Sequence, residues 1–198
     1  DFTKSMDLAD FDAALKDGSL KPADPIAAKQ AHAKAREVIE NASSTRKDGQ
    51  LPDEAPGEFS LYHRGALAYK TENFAEASKA WSEILAKPAT ERKYRSTWAA
   101  YMLGRMAVDQ HEYEKGAGYF QLTRKLAKDG SADSIGLAAE SYGWEALLEG
   151  HRSGRPKELT AAQLSQLDGV IDSGPIAYGF ATGVWTSPMI ARVIEEEF

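Results

Sequence analysis

Four histidines, His32, His63, His111 and His151, are the first side chains to test for chemistry. None stands at ligand spacing from another His, the chain has no cysteine, and no HExxH helix or Asp-rich calcium loop occurs, so no metal set is expected. Surface or helix-end positions are expected for these rings, with His111 and Glu112 at a predicted hairpin turn; His63 beside a carboxylate of an adjacent helix is the remaining alternative. Nucleophilic chemistry lacks its signatures too. There is no GxSxG elbow, and Ser173-Gly174-Pro175 has no strand leading into it. No phosphate loop occurs either, and Gly116 and Gly118 fall inside a predicted helix, where small residues serve packing. One carboxylate has a chemical case: Glu140, followed by Ser141, with Tyr142 and Trp144 close by. A glycan-cleaving acid needs its carboxyl in an apolar pocket that raises its pKa.

The elements that position these residues are expected to be helices. Alanine is abundant and β-branched runs are scarce, and Ala enters a helix without loss of side-chain entropy. With 198 residues, 42% hydrophobic and 27% charged, there is chain enough for one core or one continuous stack. A net charge of -6 without a basic aromatic stripe argues against nucleic acid. No apolar span of roughly 20 residues is encoded, so no membrane crossing is expected in this segment. Residues 1–42 read as two helices, the first with Leu8, Phe11 and Leu15 on one face. The second is set from Pro25 to Asn41 behind an Asp24 N-cap. Residues 43–57, rich in Ser, Asp, Gly and Pro, read as a loop.

A repeat follows. Gly65, Gly104 and Gly143 recur at a step of 39 residues, and Ala68, Ala107 and Ala146 keep the same step. Phe74, Ala77 and Trp81 recur as Tyr113, Gly116 and Phe120. A small residue in each leading helix lets a second helix approach, and a single hairpin cannot bury its apolar faces alone, so stacking must supply the core.

Gly65, Ala68, Phe74, Ala77, Trp81 and Pro88, then Leu103, Gly104, Ala107, Tyr113 and Phe120, then Tyr142, Gly143 and Ala146, resemble tetratricopeptide (TPR) helix hairpins. The step exceeds the family's usual ~34 residues, and a longer leading helix over 90–109 is expected to absorb the excess. Gly150, Gly154 and Pro156 interrupt the third unit, whose second helix is expected to start near Thr160. The resemblance implies an all-α fold, a TPR-like α-solenoid of stacked antiparallel hairpins over 58–172, in units near 58–88, 91–129 and 132–172. Residues 173–198 read as a Gly- and aromatic-rich loop and a short helix, cut from a longer chain.

In the TPR register, Tyr62, Tyr69, Lys70, Trp98, Tyr101, Arg105, Asp109, Glu140 and Trp144 face the concave side. Rigid rings with mixed charges suit a peptide or helix. The clamp for acidic C-terminal tails is missing, since Tyr62 and Ala66 occupy its places. A helix of the chain itself, such as 25–41, is the alternative occupant. The expected function is therefore a protein-interaction scaffold without catalytic residues, metal or cofactor, whose partner is a protein or peptide. Two alternatives remain. One is an accessory domain of a glycan-processing enzyme, because lytic transglycosylases set a Glu-Ser pair beside a helical superhelix. The other is a spacer in a larger protein, with bacterial export as an option for the compartment.

Overall fold

The computed structural model describes residues 2–53, 57–153, 161–180 and 182–197; among them the chain is helical, with no strand. Two units divide inside one helix, Asp1–Gly150 and His151–Phe198. The first holds α1 (Phe2–Asp17), α2 (Pro25–Asn41), α3 (Glu58–Lys70), α4 (Phe74–Ala86), α5 (Ser96–Asp109), α6 (Tyr113–Lys128) and most of α7 (Leu137–Ser153). No helix among the described residues is long and apolar enough to cross a membrane.

Local chemistry sets the helix ends. Asp24 accepts hydrogen bonds from the backbone N–H of Ile26 and Ala27, and Pro25 at the first helical position gives up no bond. The α3–α4 and α5–α6 turns are built alike. Glu72 and His111 take left-handed backbone angles, φ 62° and 61°, and the next N–H in each case returns to the leading helix, Asn73 to Ala68 O and Glu112 to Ala107 O, both at 2.8 Å. The α4–α5 link departs from the expected longer helix. Residues 89–91 form a 3₁₀ turn, and α5 begins only at Ser96. The reason is Glu58, whose carboxylate reaches across from α3 to accept from Tyr94 N at 2.9 Å and Arg95 N at 2.6 Å, capping α5 from outside its own chain segment.

Packing inside each hairpin follows from its glycine. A Cβ on Gly65 would lie 2.4 Å from Trp81 Nε1, and one on Gly104 would lie 2.7 Å from Phe120 Cε1. Each aromatic therefore seats against bare backbone, and both are fully buried. The Trp81 indole also donates to Tyr62 O at 3.3 Å. Around these rings Leu61, Ala77, Ile84, Ala99, Leu103, Met106, Ala117 and Leu148 form one apolar core. Gly143 differs from the other two glycines. Among the described residues no atom lies within 4 Å of the Cβ it lacks, and Ala139, Tyr142, Ala146 and Leu147 beside it are exposed.

α1 and α2 pack against α3 through a second apolar cluster, in which Phe11, Ala14 and Ala28 meet Phe59. The buried face of α1 is Asp7, Asp10, Phe11 and Ala14, rotated from the expected Leu8, Phe11, Leu15 stripe.

The second unit contains α8 (Ala161–Ser173), a 3₁₀ turn (Pro175–Tyr178) and α9 (Ser187–Glu197). Trp185 donates to Ile171 O at 2.9 Å, and the rings of Tyr178 and Phe180 lie about 6 Å from its own. The aromatic stretch thus has a turn and ring contacts of its own. Gly154, Pro156 and Thr160 lie outside the described residues.

Candidate functional sites: a polar aromatic strip and a buried histidine cluster

The leading helices α3, α5 and α7 bring residues one repeat apart into contact. Tyr101 donates its hydroxyl to Glu140, and the indole of Trp144 donates to the same hydroxyl at 2.9 Å. The guanidinium of Arg105 lies 4.2 Å from the centre of the Trp144 ring. Between α3 and α5, Tyr69 donates to the Asp109 carboxylate. Burial, then the hydrogen bond to Asp109, pushes the Tyr69 phenol up to about 12, and burial followed by Glu140 raises that of Tyr101. Both phenols therefore stay protonated donors.

Of the nine expected groove residues, three are not available as lining. Tyr62 is 5% exposed, Trp98 3% and Tyr101 4%, so their rings belong to the core. Tyr62 is covered edge-on by Trp98, with ring centres 5.6 Å apart, and both face the buried guanidinium of Arg95. Tyr69, Arg105 and Trp144 are half-buried, and Lys70, Asp109 and Glu140 are exposed. These six form the accessible strip. At one end it opens into a cleft of ≈ 340 Å³ lined by Ala42, Ser43, Ser44, Tyr69, Lys70 and Asp109, among others. Glu140 sits on this exposed strip, whereas the hydroxyl of the adjacent Ser141 turns inward, accepting from Arg124 at 3.0 Å and donating to Ala138 O at 2.7 Å. The two side chains do not share one pocket.

The second constellation corresponds to the alternative reading of His63, beside a carboxylate of another helix, with His32 added. His32 and His63, expected on surfaces or helix ends, are 1% and 0% exposed, with ring centres 4.8 Å apart. Asp7 of α1 joins them: its Oδ2 lies 3.2 Å from His32 Nε2 and 3.3 Å from Arg36 Nε, while its Oδ1 accepts from Arg95. Arg95 also donates to Asp10 Oδ2 at 2.8 Å and to Tyr94 O at 2.9 Å. Its guanidinium stacks 4.4 Å from the Phe59 ring centre. Stacking on Phe11 at 4.3 Å fixes the His32 plane.

The electrostatics are mutually adjusted. Burial raises the Asp7 pKa, but the polar contact with His32 and the charges of Arg95 and Arg36 outweigh it and hold the group well below the usual carboxylate range. Burial depresses His32, only partly offset by Asp7, and keeps the imidazole neutral. Burial pushes Glu58 up to about 7, against the pull of the Tyr94 and Arg95 N–H groups and the Arg95 charge. A sequence signal did exist: Asp7 and Asp10 flank Phe11 on one face of α1, and His32 stands in line with Ala28 and Ala35 on α2. Polar residues on an otherwise apolar stripe call for buried partners.

The chain matches no family model, no curated protein and no solved structure. Its function is therefore argued from its own residues.

Proposed function

We propose that this chain is a divergent TPR-like stack that serves as a protein-interaction module, taking an extended peptide or a helix along the strip of α3, α5 and α7. The observation that carries this reading is the contact between residues one repeat apart, Tyr101 with Glu140 and Arg105 with Trp144. Leading helices that meet in register present one continuous line of side chains. Along it run a cation (Lys70), two carboxylates (Asp109 and Glu140) and half-buried rings (Tyr69 and Trp144). Such a line offers backbone-directed hydrogen bonds and flat apolar surface together, the combination that holds a peptide. Tyr62, Trp98 and Tyr101 act behind it as rigid support.

Selection of binders from a random peptide library tests the reading. Lys70→Glu and Trp144→Ala are expected to weaken the selected peptides by about tenfold or more, equivalent to about 1.4 kcal/mol, with helical circular dichroism retained. Peptides that bind both variants as well as the native chain would place recognition elsewhere and end the proposal.

A further inference from the structure

We infer that Asp7, His32 and His63 form a structural site for a divalent transition metal, with Zn²⁺ the best match. One ligand atom from each lies within 4.8 Å of the others, and the three come from three different helices, α1, α2 and α3. Two imidazoles and one carboxylate are a zinc donor set, with bonds of about 2.0–2.2 Å. Tetrahedral bonds of that length put ligand atoms roughly 3.4 Å apart. The His32 Nε2 to Asp7 Oδ2 separation of 3.2 Å is already at that value. The longest separation, up to 4.8 Å, must close by about 1.4 Å, which requires the His63 side chain to turn toward the other two.

Two further observations favour a cation there. Nε2 of His32, 3.2 Å from Asp7 Oδ2, is buried and off the line of a hydrogen bond, so it has no partner of that kind among the described residues; buried polar atoms of that kind call for an unseen ligand or ion. Finally, Asp7 is pre-oriented. Arg95 holds Oδ1 and Arg36 approaches Oδ2, the kind of outer support that fixes a ligating carboxylate. Arg95 is also the main opposition, since its charge repels a dication, and Asp10, bonded to it at 2.8 Å, offsets that repulsion.

All three ligands are at most 1% exposed, which suits a structural role and leaves no room for a substrate. The metal would tie α1 and α2 to the first hairpin, with a solvent oxygen as the fourth ligand.

The test is titration of the chelator-stripped, full 198-residue chain with Zn²⁺ against a chromogenic competitor, and with Co²⁺ by visible absorption. One ion per chain, a four-coordinate Co²⁺ spectrum and a raised thermal midpoint are expected. His32→Gln and His63→Gln should each abolish uptake, while a His111→Gln, His151→Gln double variant keeps it. A folded native chain that takes up no Zn²⁺ overturns the inference. So does uptake that survives in His32→Gln and His63→Gln but is lost in the double variant. Should a ligand variant unfold, the native Co²⁺ spectrum decides: an octahedral, water-like band overturns the site.

Discussion

Glu72 and His111 share one backbone conformation, φ 62° and 61°, at equivalent turns of successive hairpins. Residues with a Cβ adopt it at a cost, and glycine does so freely. Glu72→Gly is therefore expected to stabilise the chain by about 0.5–1 kcal/mol. His111→Gly should gain less, because the His111 Nδ1 contact with the Tyr113 hydroxyl at 2.9 Å is lost. Urea denaturation of the two variants checks both the sign and the order.

The three glycines of the repeat predict opposite outcomes. Gly65→Ala and Gly104→Ala drive a methyl into the Trp81 and Phe120 rings. Neither ring can withdraw from a filled core, so each change should cost about 1–3 kcal/mol. Gly143→Ala meets nothing within 4 Å among the described residues. On an exposed helix it should stabilise by about 0.5–1 kcal/mol through helix propensity. Equal effects at all three positions would contradict the packing described here.

That contrast also marks how far the sequence could be read. The 39-residue step is legible because close helix approach demands a glycine facing a large ring, and Gly65 with Trp81 and Gly104 with Phe120 satisfy that demand within one short stretch. At Gly143 the same residue type recurs without the packing, and residue type alone cannot reveal that. Nor could the strip be separated from the core. Tyr62 and Trp98 look like Tyr69 and Trp144 in sequence, and only the buried Arg95 guanidinium beneath them explains why the first pair is sealed. The histidine cluster was only partly legible, for a different reason. Asp7, His32 and His63 come from three helices and Arg95 from the link before α5, and no local spacing joins them.

Arg95 should be the most sensitive single residue of that cluster. It is fully buried, pairs with Asp7 and Asp10, and lies against Phe59 and Trp98. Arg95→Met strips Asp10 of its cation and leaves Asp7 with Arg36 alone, and is expected to cost about 3–5 kcal/mol. Arg95→Lys should not restore the loss, since an ammonium cannot bridge two carboxylates and stack on rings at once. Thermal or chemical denaturation of the two variants measures this. A Lys variant as stable as the native chain would show that charge alone suffices.

Glu58 gives the stability a distinctive pH dependence. Its pKa is about 7 in the folded chain, where burial outweighs the two backbone N–H donors, against 4.5 for the free side chain. A carboxyl raised on folding disfavours the native state once it must ionise. Its contribution is fully present below pH 4.5 and is lost as pH climbs to about 7, then stays constant. The loss is on the order of 3 kcal/mol, at 1.36 kcal/mol per pH unit. His32 works in the opposite direction: its depressed pKa contributes stability above its free value of 6.5 that is lost on acidification. Asp7, held low by His32 and Arg95 despite its burial, contributes above 3.8 and weakens below it. The Glu58→Gln variant isolates the first effect because it leaves the other two groups in place. Relative to that variant, the native chain should lose stability steadily between pH 5 and pH 7 and run parallel to it above pH 8. Denaturation curves that stay parallel across the whole range would mean that Glu58 is ionised throughout and that the caps it provides to Tyr94 and Arg95 fully compensate its burial.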